Sequence, residues 1–156
     1  MAIIHSNTNK IQDIINTINV FSIPHGENTN NIIDRNIVEI SNSQVRYVGS
    51  YAFDRCYSLT SVNLPAASRI YFAAFGYCSS LTTINIDQVN YIDTWAFADC
   101  ISLETISCPK VRTINQSAFA SCTSLLSVDA PELEYINSDA FNNCTSLLSI
   151  NIPKVR

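Results

Sequence analysis

Glycine is scarce in this chain, with 3 in 156 residues beside 5 prolines. That scarcity excludes the loop-rich mini-domains that disulfides staple, and it leaves no glycine-rich loop to cradle a phosphate. Charge is thin as well: 14% of residues are charged, and the formal net charge is −4. With no Lys/Arg cluster, the sequence predicts neither nucleic acid nor anionic membrane as a partner. No apolar run approaches the ~18 residues of a bilayer span. The start, Met1-Ala2-Ile3-Ile4-His5, lacks the basic and apolar regions of a secretory signal. No export route is therefore expected, which leaves the compartment open: virion or cytoplasm of origin, or the exterior if the chain derives from an exported parent. The only histidines are His5 and His25. A serine nucleophile would want such a base beside it, and zinc would want paired Cys/His spacing. The chain is thus expected to be no enzyme and to hold neither metal nor cofactor.

What is present is a repeat. Ala-Phe recurs at 52–53, 74–75, 96–97, 118–119 and 140–141, always 22 residues apart. The same register places Cys56, Cys78, Cys100, Cys122 and Cys144, then Leu59, Leu81, Leu103, Leu125 and Leu147. A fixed period of this length marks a solenoid, in which each coil buries its apolar face only against its neighbours. The alternation in Leu59-x-x-Val62-x-Leu64 is that of a half-buried strand, so stacked repeats predict a parallel sheet. Proline after the strand, at 65, 109, 131 and 153, ends it because it cannot donate to a ladder. Between Ser50 and Cys56 the apolar spacing 52, 53, 56 predicts a turn or two of helix or 3₁₀.

The core is expected to consist of stacked Phe53, Phe75, Phe97, Phe119 and Phe141 beside the cysteine row. Five thiols in one row cannot all pair, and a 22-residue spacing offers no point with four metal ligands. Buried small side chains are the reading preferred over disulfides or a metal ladder. Cys108 supports it by standing where Leu64 and Ile86 stand.

The motif A-F-x-x-C-x-S-L-x-x-[IV]-x-x-P at this period resembles the BspA-type leucine-rich repeats. The resemblance covers 45–154, or 110 of 156 residues. It implies a curved solenoid with a parallel sheet. Members occur among bacterial surface adhesins, parasitic protists and proteins encoded by bacteriophages. Two roles follow as expectations. One is a non-catalytic interaction module of a surface or virion-associated protein, facing protein or glycan. The other is a structural, decorating or fibre part of a phage virion, anchored or oligomerised through its N-terminal segment.

The organisation expected is 1–44 as a leading segment and 45–156 as five repeats plus the start of a sixth. In the former, Ile11, Ile14, Ile18 and Phe21 fall at helical spacing after Ser6, Asn7 and Thr8, which can cap a helix. That amphipathic helix would cover the first coil or drive oligomerisation. A turn-rich connector follows, and Ile37 and Ile40 stand 22 residues before Leu59 and Val62, suggesting a degenerate capping half-repeat. At the other end the chain stops at Val155-Arg156, and an uncapped coil there is expected to meet a partner, another copy or further sequence.

Binding is expected on the surface rows. The main strand's outward rows, Ser61 to Ser149 and Asn63 to Asn151, are small and, Asp129 apart, uncharged, and read as a solvated face. Aromatic residues gather elsewhere: Tyr47, Tyr91 and Tyr135 in one row, Tyr51 and Trp95 in another, with Tyr71 and Tyr77 close by beside Phe72 and Arg55. Exposed Tyr and Trp are the better contact candidates.

Overall fold

The computed structural model describes residues 37–152, together with the backbone of two short strands in the leading segment. Each coil contributes two strands. The longer ones are β3 (Glu39–Ser41), β5 (Ser61–Asn63), β7 (Thr83–Asn85), β9 (Thr105–Ser107), β11 (Ser127–Asp129) and β13 (Ser149–Asn151). The shorter are β4 (Tyr47–Val48), β6 (Arg69–Ile70), β8 (Tyr91–Ile92), β10 (Thr113–Ile114) and β12 (Tyr135–Ile136). The leading segment adds β1 (Ile3–His5) and β2 (Ser22–Ile23).

Every paired repeat strand runs parallel to its neighbour with a register of 22, as in Ile40↔Val62↔Ile84 and Val48↔Ile70↔Ile92. The short strands form one continuous six-stranded sheet ending on β2. The longer strands form two runs, β1-β3-β5-β7 and β9-β11-β13, with β7 beside β9. β1 lies antiparallel on β3, and β2 parallel on β4, so both strand edges of the first coil are occupied. Unpaired strand edges invite association, and these two are closed. The predicted helix over 8–21, and with it Ile11, Ile14, Ile18 and Phe21, lies outside the described residues.

Proline works as expected of a residue that fixes φ but cannot donate. Ala67 donates to the Leu64 carbonyl across Pro65, and Val111 to that of Cys108 across Pro109. Proline thus sits second in a four-residue turn, where its φ is already suitable. Residue 87, an aspartate, holds the same place in a turn closed from Val89 to Ile86.

The segment that the apolar spacing assigns to helix or 3₁₀ is neither. Between 50 and 56 the chain makes consecutive turns whose N–H groups alternate in destination. Ala52, Asp54 and Cys56 donate back three residues, to Gly49, Tyr51 and Phe53. Tyr51, Phe53 and Arg55 donate to the next coil, to Phe72, Ala74 and Gly76. A helix would spend all of these donors on itself; the stacked coil gives half of them to a backbone ladder with its neighbour. The alternation requires left-handed backbone twice per coil. Ten residues other than glycine adopt it, with φ between 48° and 60°, and no described glycine does.

Inside, the phenylalanine rings from 53 to 141 stack with centroids 5.1–5.4 Å apart and nearly parallel planes. Val48, Ile70, Ile92 and Ile114 pack from the short-strand sheet, and Leu59, Leu81, Leu103 and Leu125 from the chain just before the longer strands, all fully enclosed. No polar or charged described residue is buried in this core.

The cysteines do more than fill space. Each thiol of Cys78, Cys100, Cys122 and Cys144 donates to a phenylalanine carbonyl 25 residues earlier, at 3.1–3.2 Å. That carbonyl already accepts the N–H of the cysteine in its own coil, so the thiol fills its second lone pair. All six sulfurs are free thiols. Burial holds the Cys78 and Cys100 thiols well above their ordinary range and raises Cys108 to about 12. Cys144 differs. It is only half-buried, and a hydrogen bond with the Cys122 thiol lowers its pKa. Titration of the native 156-residue chain with a disulfide reagent near neutral pH should therefore show one fast thiol and five slow ones, because the thiolate is the reacting form. Cys144→Ser should abolish the fast phase; several fast thiols in that variant would mean that the row is open.

Candidate binding surface

The outward face of the longer strands carries hydroxyls and amides that bond along the solenoid axis. Asn85 donates to Asn63, Asn63 to Ser41, and Asn151 to Asp129, at 2.7–3.2 Å. Thr60 and Thr82 donate to the carbonyls of Val38 and Thr60. These groups are satisfied by residues one coil away, which strengthens the stack and leaves less of their hydrogen-bonding capacity for a ligand.

The aromatic side chains lie on the other rows, and the structure sorts them. Tyr51, Phe72 and Trp95 form one strip along the turn edge. The Tyr51 ring meets Phe72 edge-on at 5.2 Å, and Phe72 meets Trp95 at 5.5 Å. Between Tyr51 and Trp95 the same turn position holds Ala73, whose small side chain leaves room for the Phe72 ring from one position earlier. Four residues further on, the Arg55 guanidinium lies 5.6 Å from the Tyr77 ring centre and 3.7 Å from Asp54. On the short-strand sheet, Tyr47, Arg69 and Tyr91 are successive outward residues in register, with Arg69 5.8 Å from the Tyr91 ring.

Tyr47, Tyr51, Tyr77 and Trp95 are exposed, and Tyr71 and Tyr91 are half-buried. Tyr135 is 64% exposed but stands two coils beyond Tyr91, apart from the others. The aromatic surface therefore belongs to the first three repeats. Sequence reasoning passed over Tyr57, which is also exposed, and Arg69. Arg69 was detectable as the residue between two tyrosines of a row 22 residues apart.

One feature of this surface is conformational. Tyr51, Arg55, Tyr77 and Trp95 all have φ of 57–60°. In later coils the same positions hold Ser117, Ser121, Asp139 and Asn143. Asn and Asp tolerate left-handed backbone through local hydrogen bonds, whereas for a bulky side chain it costs roughly 1–2 kcal/mol.

Among the described residues no cluster of His, Cys, Asp and Glu could hold a metal, and no helix is long and apolar enough to cross a membrane.

Residues 46–155 match the model of the BspA type leucine rich repeat region in six copies. Among solved structures, the chain is similar to the T. pallidum leucine rich repeat protein, with 28% identity, a TM-score of 0.73, and coverage of 83% of this chain and 62% of that one. A leucine-rich repeat protein from Bacteroides ovatus is 32% identical over 72% of this chain and 30% of its own length, with a TM-score of 0.64. A leucine rich cell surface protein from Faecalibacterium prausnitzii is 25% identical over 85% of this chain and 43% of its own, also with a TM-score of 0.64. The chain thus spans less than two thirds of each of these structures. No curated protein matches. The expectation of a phage virion role finds no support in these likenesses. Repeat register, turn pattern and family match agree: the chain belongs to the BspA-type leucine-rich repeat proteins.

Proposed function

We propose that this chain is a non-catalytic binding module whose first three coils present an aromatic edge to a protein or glycan at a cell surface. The observation that carries the reading is the placement of Tyr51, Tyr77 and Trp95 at left-handed backbone positions with their rings exposed. Later coils fill three of those positions with Asp99, Asp139 and Asn143, which suit that backbone better, so large rings there sacrifice stability. Strain retained on a surface, beside side chains of the kind that dominate interfaces, is the pattern of a functional site. Similarity to a cell surface leucine-rich protein supports the location, and solenoids commonly serve as rigid binding scaffolds.

The test is a triple variant, Tyr51→Asn, Tyr77→Asn and Trp95→Asn. The gain from easier backbone should offset the lost ring contacts, so the melting midpoint should stay at or above that of the unmodified chain. Binding to whatever a glycan array and a panel of purified surface proteins reveal should fall at least tenfold. Undiminished binding, or a large drop in the midpoint, would overturn the proposal.

A further inference from the structure

The charge of the solenoid is divided along its axis. Residues 45–72 contain three arginines, Arg46, Arg55 and Arg69, against one carboxylate, Asp54. Residues 73–152 contain two cationic and eight acidic side chains. The basic part of the solenoid overlaps the beginning of its aromatic part, where Tyr47, Tyr51 and Tyr71 stand, although the whole chain is acidic. An anion is therefore drawn to the first coils and repelled from the later ones.

Arg69 is the focus of this asymmetry. Its guanidinium stands in the outward row of the short-strand sheet, with Tyr47 in register on one side and Tyr91 on the other. Among the described residues it makes no ion pair, whereas Arg55 pairs with Asp54 and Arg112 with Glu134. A guanidinium lying near a tyrosine ring is held in place while the N–H groups at its edge still point outward, and that fork matches a carboxylate.

We infer that the row Tyr47–Arg69–Tyr91 is a subsite for an acidic sugar, a uronic-acid-type residue within an oligosaccharide. The apolar face of the sugar ring stacks on a tyrosine and its carboxylate takes the Arg69 fork. The inference rests on the binding-module reading but places the anion on the short-strand sheet, away from the Tyr51–Phe72–Trp95 strip. Two observations favour a sugar over an acidic peptide. Peptides commonly dock by adding a strand to an open sheet edge, and the edge beside β4 already holds β2. An acidic peptide also supplies carboxylates without a ring face for each tyrosine. A ligand lying along the row meets ring, guanidinium and ring in succession at the coil rise, roughly 4.7–4.9 Å per step.

The experiment uses the full 156-residue chain and three probes in calorimetric titration: oligogalacturonate, its methyl ester and poly-glutamate. Oligogalacturonate should bind more tightly than either of the others. Arg69→Gln, at an exposed position, should weaken that binding about tenfold or more and leave the ester unchanged. Tyr47→Ser should weaken both sugars. Absence of oligogalacturonate binding, equal affinity for poly-glutamate, or indifference to Arg69→Gln would each overturn the inference. A neutral glycan or a protein lost in the triple asparagine variant but retained in Arg69→Gln, together with no binding of oligogalacturonate, would overturn it while leaving the binding-module reading intact.

Discussion

Replacing Phe97 with alanine is expected to remove about 3–5 kcal/mol of stability, the loss found when a buried phenylalanine leaves a cavity. Phe97 is fully enclosed, and its ring lies between Phe75 at 5.3 Å and Phe119 at 5.1 Å. The walls of the resulting void are backbone held in ladders on both sides: Phe75 donates to Ala96, and Phe97 to Ala118. Coils tied in this way cannot collapse inward, which places the cost at the upper part of the range. Phe141, in the last described coil, is only partly buried, and Phe141→Ala should cost much less. Because each coil contacts only its neighbours, damage at the middle coil can also uncouple the two halves. Urea unfolding followed by circular dichroism and by fluorescence of Trp95, the single tryptophan, should then give transitions that no longer coincide. A loss below about 1 kcal/mol would show that the phenylalanine row does not carry the core.

The parts of this architecture that depend on stacking were open to sequence reading, because the 22-residue period sets the register of every ladder. Ile40, Val62 and Ile84 align in the structure as they do in the sequence. The turn segment was less legible for a physical reason. Inward residues at 52, 53 and 56 fit a helical turn and a run of consecutive turns equally well, since both return the chain to the same side after three or four residues. The deciding information lay in the outward rows, where Asp99, Asp139 and Asn143 mark left-handed positions. In the first coils that signal is overwritten by Tyr51, Arg55, Tyr77 and Trp95. The thiol hydrogen bonds were hidden for another reason: an acceptor 25 residues away means one coil plus three residues, and becomes visible only after the coil path is known. For the surface, the aromatic rows could be listed by register, but the pairing of Arg69 with Tyr91 and of Phe72 with both Tyr51 and Trp95 depends on side-chain direction.

Asp99→Pro tests the backbone pattern directly and should cost about 3 kcal/mol or more. Asp99 has φ of 59°, and its N–H donates to the Ala120 carbonyl at 2.8 Å. Proline fixes φ near −65°, so it can neither adopt the left-handed turn nor supply the donor. Its ring also pushes the preceding residue, Ala98, toward extended backbone, although Ala98 donates across a tight turn to Trp95. Three constraints fail at one position, between two coils that depend on it for their ladder. Asp99→Gly provides the control, because glycine removes the same side chain while accepting the same φ. Relief of the left-handed strain and the greater freedom of the unfolded glycine chain oppose each other, so that variant should stay within about 1 kcal/mol of the unmodified protein. Chemical denaturation of the two variants side by side therefore separates conformation from side chain. Had the segment been the helix that its apolar spacing suggests, Asp99→Ala would be more stable than Asp99→Gly by about 1 kcal/mol, the helix preference for alanine over glycine. In the turn ladder the order should reverse, because at φ of 59° alanine incurs the left-handed penalty and glycine does not, so Asp99→Gly is the more stable of the two. A more stable Asp99→Ala than Asp99→Gly would refute the alternating pattern of left-handed turns.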